Sequence, residues 1–225
     1  MTGPAAELMN DLLAAGFLRL GGFHPAGDYP LPPLSGGRPA KSLLLIGSTG
    51  PALWPVFEKS PEHTDGMPDP LDRYTKRVLS ECAARHGFEA LFPFEGPPYH
   101  PFQQWALKCG GFSPSPLGVL AHGTFGLWAG FRAAFLSAAK LPDALAVAED
   151  GPCPACTEKP CLSTCPANAI SLENGYDVPV CRDYLAANPA GDCWSGCLAR
   201  RACPFGAPHR QSAGTAGFHM RSFAG

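Results

Sequence analysis

A chain of 225 residues with 45% hydrophobic side chains can bury one core of ordinary size and still carry a smaller appended module. Charged residues make up only 16% of it and the formal net charge is -2, so there is no basic surface to attract nucleic acid or anionic lipid. No cationic start followed by an apolar run opens the chain and no stretch approaches the length of a membrane span, which sets the expectation of a cytoplasmic protein.

Residues 5–15 read as a helix with Leu8, Leu12 and Leu13 on one face and Gly16 in the stop position. Residues 21–39 are rich in Gly and Pro (Gly21-Gly22, Pro32-Pro33, Gly36-Gly37), which predicts a long surface loop and argues against helix or central strand. The continuous apolar run at residues 42–46 reads as a strand buried on both faces. Gly47-Ser48-Thr49-Gly50 follows it, but without the Lys-Ser/Thr ending of a phosphate loop it reads as an ordinary strand-to-helix turn. Asp69-Pro70 then supplies an N-cap and a first-turn proline; Leu71, Tyr74, Val78, Leu79 and Cys82 recur at helical spacing, and Gly87 ends the helix.

Residues 89–94 are the next strand, and strand, helix and strand in that order predict a parallel crossover unit in an α/β sheet. Residues 102–108 form one more helical piece and residues 117–121 a short apolar run. Residues 125–139, apolar on most sides with Arg132 and Lys140 as the only charges, read as a buried helix ended by Leu141-Pro142. Glu149-Asp150-Gly151 is a short acidic linker. It divides an α/β domain over residues 1–150, which would bind a cofactor or substrate, from a cysteine module over residues 151–225.

Cys82 and Cys109 stand alone in the first part, whereas Cys153, Cys156, Cys161, Cys165, Cys181, Cys193, Cys197 and Cys203 crowd into the last third. In a chain without an export signal this argues for thiolate chemistry rather than disulfides. Cys153-Pro-Ala-Cys156, then Cys161-Leu-Ser-Thr-Cys165-Pro166, closes as bacterial two-cluster ferredoxin runs do, with four residues where those have two between the second and third ligand. Cys193, Cys197 and Cys203-Pro204 form a looser second run, and Cys181 supplies the fourth thiolate. If ligands are exchanged as in two-cluster ferredoxins, one 4Fe-4S cluster takes Cys153, Cys156, Cys161 and Cys203, and the other takes Cys165, Cys181, Cys193 and Cys197. Soft thiolates suit iron in both oxidation states, and a pair of structural four-thiolate zinc sites is the rival for the same residues. Cys82 and Cys109 read as packed thiols.

The order Cys-x2-Cys, Cys-x3-Cys-Pro, an isolated Cys-x-x-Tyr-Leu (Cys181 to Leu185), a further pair and a closing Cys-Pro resembles the two-cluster segment of epoxyqueuosine reductases. The resemblance implies that Cys181 completes the second cluster. Upstream, Phe102-Gln-Gln-Trp105 through Cys109-Gly110, then Gly118-Val-Leu-Ala-His122-Gly-Thr-Phe-Gly126-Leu-Trp128, is similar to the cobalamin-binding half of the same reductases. The spacing of His122, Gly126, Trp128 and Arg132 also resembles cobalamin-processing CblC-type proteins. These resemblances span about residues 40–206 and imply a nitroreductase-like α/β fold, with cobalamin held by those four residues. The catalytic aspartate of the reductases has no counterpart: its position falls near Gly96, with Glu95 the nearby carboxylate.

Together these readings predict an iron-sulfur redox protein. Its two 4Fe-4S clusters would pass single electrons to a cofactor or substrate in the N-terminal domain, fed by a flavodoxin- or ferredoxin-type donor, with no membrane or nucleic-acid partner. The alternative is a ferredoxin-like carrier or accessory protein without its own catalysis. His100, His209 and His219 show no ligand spacing, and Trp105, Phe125, Trp128 and Phe131 serve the core or line a cofactor cavity.

Overall fold

Pro4 sits in the first turn of α1 (Pro4–Ala14), whose Leu8 and Leu12 are buried, in a computed structural model that describes residues 3–27, 29–142, 144, 147 and 149–225. The chain continues through β1 (Leu18–Phe23), β2 (Ser42–Ser48), α2 (Gly50–Phe57), the single turn α3 (Pro61–Thr64), α4 (Pro70–Arg85), β3 (Glu89–Leu91) and α5 (Phe102–Cys109). Short strands β4 (Phe112–Pro114) and β5 (Leu120–His122) precede the longest strand, β6 (Gly130–Ser137). The cysteine-rich part holds α6 (Pro160–Ser163), β7 (Ile170–Ser171), β8 (Gly175–Tyr176), α7 (Val178–Ala187), α8 (Leu198–Arg201) and α9 (Ala213–Ala224).

Two units result: Met1–Gly110 with Gly130–Glu149, and Gly111–Ala129 with Asp150–Gly225. The first is built on a four-stranded sheet in the order β1-β2-β6-β3, with every neighbouring pair antiparallel. The predicted parallel crossover is met with one strand inserted. β2 and β3 do run the same way, but β6 lies between them and pairs with both, so α4 crosses over β6 instead of joining neighbours. The predicted helix over residues 125–139 is corrected. A short apolar run reads alike as buried helix or central strand, and pairing of Leu43, Leu44 and Leu45 with Leu136, Phe135 and Ala134 decides for the strand.

β1 is the other departure, since the Gly-rich segment begins as an edge strand with a register shift between Arg19 and Gly21. Its glycine has a packing cause: a Cβ on Gly21 would stand 2.7 Å from the Cβ of Cys109 on α5. The core of this unit is apolar, with Leu43, Leu45, Ile46, Leu79 and Phe135 fully buried. Asp11 on α1 ties the helices together, accepting from Arg85 Nη1 at 2.8 Å and from His86 Nε2 at 2.9 Å.

The second unit has little regular structure: two two-stranded sheets, β4-β5 and β7-β8, and short helices. Its core is built of small side chains and thiols, including Ala121, Ala169, Ala199, Cys161, Cys165 and Cys203. The whole is a mixed α/β protein of sheets and helices. Among the described residues no helix is long and apolar enough to cross a membrane.

Candidate functional site

The eight clustered cysteines all fall in the second unit, and local structure places each one. Cys153 N–H donates to Ser113 Oγ on β4 at 3.1 Å, and Cys161 lies in the first turn of α6. Asp177 caps α7, its Oδ1 accepting from Val180 N–H at 3.0 Å, which sets Cys181 and Leu185 one turn apart on the same face. Cys193 sits in the 3-10 turn Asp192–Ser195, Cys197 caps α8, and Cys203 follows α8.

The thiols fall into two groups of four. Cys153 senses the charges of Cys203, Cys156 and Cys161, Cys161 those of Cys203 and Cys156, and Cys203 that of Cys156. Cys193 likewise senses Cys181 and Cys165, and Cys197 senses Cys193 and Cys181. These last four line one cavity of about 260 Å³, whose wall also contains Tyr176 and Arg200. Burial pushes the thiols of Cys153, Cys161, Cys193, Cys197 and Cys203 upward, because a thiolate loses water there. Main-chain amides act the other way: Leu198 toward Cys193, Arg200 and Ala199 toward Cys197, and Phe205 and Leu127 toward Cys203. Burial, then the neighbouring Cys181, also raises Tyr176.

Cys82 and Cys109 lie apart in the first unit. Burial raises both, Cys109 to about 12, so they are protonated packed thiols at neutral pH.

The four residues read as cofactor contacts are not gathered in one unit. His122, Gly126 and Trp128 belong to the second and Arg132 to the first, where its Nε donates to Ser48 Oγ at 2.9 Å. His122 Nδ1 accepts from the amides of Thr124 at 3.0 Å and Phe125 at 3.3 Å, so the neutral ring carries its proton on Nε2. Burial, then the nearby His209, lowers its pKa and keeps it neutral. Gly126, at φ 55°, is packed against the carbonyl of Phe205, where a Cβ would collide. Trp128 is buried with no hydrogen-bond partner on Nε1, and the guanidinium of Arg200 lies 4.7 Å from its ring centre. His209 packs edge-on against Phe125 and His219 reaches the thiol-lined cavity.

Three cations escaped the sequence reading. Lys159 Nζ donates to the carbonyls of Cys153 at 3.0 Å and Cys156 at 2.8 Å. It sits in the extra residues between Cys156 and Cys161, so the departure in spacing from ferredoxin runs has a structural use. Arg210 Nη2 donates to the carbonyl of Cys203 at 3.3 Å. Arg200 donates to the carbonyl of Leu127 through Nε at 3.0 Å and Nη2 at 2.6 Å. The only sequence signal for any of them was their position between or just beyond ligand cysteines.

Sheet order and helix placement define a mixed α/β fold. One solved structure it is similar to is a crystal structure of a C. elegans B12-trafficking protein CblC, a human MMACHC homologue, with a TM-score of 0.54 and 17% identity over 98% of this chain and 93% of that one. No family model and no curated protein matches the chain.

The predicted function is corrected by these findings. The chain shares its fold, along nearly its whole length, with a trafficking protein rather than an electron carrier. Among the described residues, moreover, no group of three or more His, Cys, Asp or Glu side chains could hold a metal ion. Four thiolates around one ion at about 2.3 Å must converge on a point. An iron-sulfur redox protein passing electrons through two 4Fe-4S clusters, and a ferredoxin-like carrier, are both set aside, as is the redox donor they required.

Proposed function

We propose that this chain is a cobalamin-handling protein. The observation that carries the reading is the fold likeness to a B12-trafficking protein over 98% of the chain. The cavities described within single units, about 460 Å³ beside α1 and α4 and about 260 Å³ among the thiols, are too small to enclose a corrinoid, which exceeds a drug-sized molecule. The proposal is therefore of a ligand held on an open face. Half-buried His122 of the second unit is its proposed contact, offering the Nε2 proton as a donor rather than a free nitrogen.

Purified chain mixed with hydroxocobalamin and desalted should keep about one corrinoid per chain, with a visible spectrum shifted from that of the free cofactor. A colourless desalted protein ends the reading.

The eight cysteines enter as proposed thiolate ligands of bound metal, in the two groups Cys153, Cys156, Cys161, Cys203 and Cys165, Cys181, Cys193, Cys197. Small shifts of the chain on loading would bring each group onto its metal. Analysis of oxygen-free preparations for iron, sulfide, zinc and cobalt tests this: metal in stoichiometric amount supports it. A metal-free chain with eight alkylatable thiols removes it.

A further inference from the structure

Beside the thiol-lined cavity the second unit holds a smaller one, of about 30 Å³. Trp128, Arg200, Arg201, Cys197, Gln211 and His219 supply its polar walls, so the segment ahead of β6 meets α8 and α9 there. Trp128 is 3% exposed, and its indole Nε1 is buried without a hydrogen-bond partner. An indole N–H can only donate, and a folded protein ordinarily gives such a buried donor an acceptor.

The neighbouring arginines add donors and charge. Arg200 directs Nε and Nη2 to the carbonyl of Leu127, which leaves Nη1 without an acceptor among the described residues. Burial lowers its pKa, yet a guanidinium stays protonated in a protein, and a carbonyl orients the charge without neutralising it. The guanidinium stands 4.7 Å from the centre of the Trp128 ring, close enough for one small ion to touch both. Arg201, an exposed residue, donates Nη1 to the carbonyl of Ser195 at 3.3 Å.

Nothing on the walls answers this charge. No Asp or Glu lines the cavity, and among the described residues neither arginine forms an ion pair. Burial raises the Cys197 thiol, so its sulfur is neutral, and Gln211 and His219 are never anionic. Size then selects the occupant. One water needs about 10–15 Å³, so a halide fits, whereas sulfate or a substituted carboxylate does not. Water would satisfy the indole and leave the positive charge unbalanced.

From this we infer that the cavity is a binding site for one halide-sized anion, chloride in ordinary solution, held by the indole N–H of Trp128 and the guanidinium of Arg200 with Arg201 beside it. The ion fastens α8 and α9 to the segment that carries Trp128, and the stability of the second unit then rises with chloride. The inference does not rest on the cobalamin reading.

The test uses the full chain in sodium chloride, with sodium gluconate holding the ionic strength constant, and reads the line width of the chloride NMR signal. Wild type should show excess broadening that saturates, collapses when bromide is added and survives sulfate. Its melting temperature should be higher in chloride than in gluconate. Arg200→Gln keeps a donor for the Leu127 carbonyl but loses the charge, and should abolish the saturable broadening. Trp128→Phe keeps a ring under Arg200 and removes the N–H, and should weaken chloride binding about tenfold or more. Arg200→Lys should retain measurable binding. Near-UV circular dichroism checks each variant for native packing, and if Arg200→Gln fails that check, Trp128→Phe decides. Wild type without saturable broadening overturns the inference, as does displacement by sulfate as readily as by bromide. Unchanged chloride affinity in a folded Arg200→Gln or Trp128→Phe overturns it as well.

Discussion

The two units of this chain solve cohesion in different ways. The first buries Leu43, Leu45, Ile46 and Phe135 in a four-stranded sheet and is held together chiefly by apolar area. The second has Ala121, Ala169 and Ala199 where a self-sufficient core would have leucines, thiols in much of the remaining space, and a cavity of about 260 Å³ at its side. Small cores of that kind are short of hydrophobic stabilisation. The difference teaches that large buried side chains carry one unit, while close backbone contacts and polar fastenings carry the other.

The comparison can be broken first where the apolar unit is strongest. Leu45→Ala should cost about 2–5 kcal/mol in denaturant unfolding of the first unit, because Leu45 is fully buried at the sheet centre. Loss of the second unit's signal at the same denaturant concentration would show that the two do not differ as described. Second, Gly206→Ala should cost the second unit about 2–3 kcal/mol. Gly206 has φ 69° and a Cβ would collide with the carbonyl of Phe125. Gly36→Ala, at φ 75° with open space around it, should cost only about 1 kcal/mol.

The smallest effect is in pH, where the units should respond in separate windows. His122 in the second unit has its pKa lowered from 6.5 by burial, so its neutral form is favoured in the fold. Above that value the fold bears no penalty; as pH falls below about 6.5 the unfolded chain takes the proton more readily, and stability declines. In the first unit, the hydrogen bonds from His86 and then Arg85 hold Asp11 below its ordinary 3.8, so that contribution persists until pH falls under about 3.8. Melting curves at pH 7, 5.5 and 3 read both, and His122→Gln should flatten the upper window alone.

Much of the first unit was legible. The strand at 42–46, the helix opened by Asp69-Pro70 and the piece at 102–108 all reflect local rules of burial and capping. The residues at 125–139 were not, because whether an apolar segment becomes helix or central strand is decided by its partners, here β2 and β3. β1 was hidden by its glycines, whose reason is Cys109, far along the chain. In the second unit the crowding of eight cysteines was visible, but the function drawn from it was not upheld, because spacing shows neither convergence nor purpose. The role of Arg200 was invisible for a similar reason: its partners, Leu127 and Trp128, lie some seventy residues away.

The grouping of the thiols has a consequence for how the chain is made. Cys203 stands with Cys153, Cys156 and Cys161, while Cys165 stands with Cys181, Cys193 and Cys197. The sets interlace along the polypeptide, so a ribosome must deliver almost the entire product before either one can assemble. Until that moment the early sulfurs wait without their late companion, and a polypeptide truncated before residue 203 could never gather the earlier quartet.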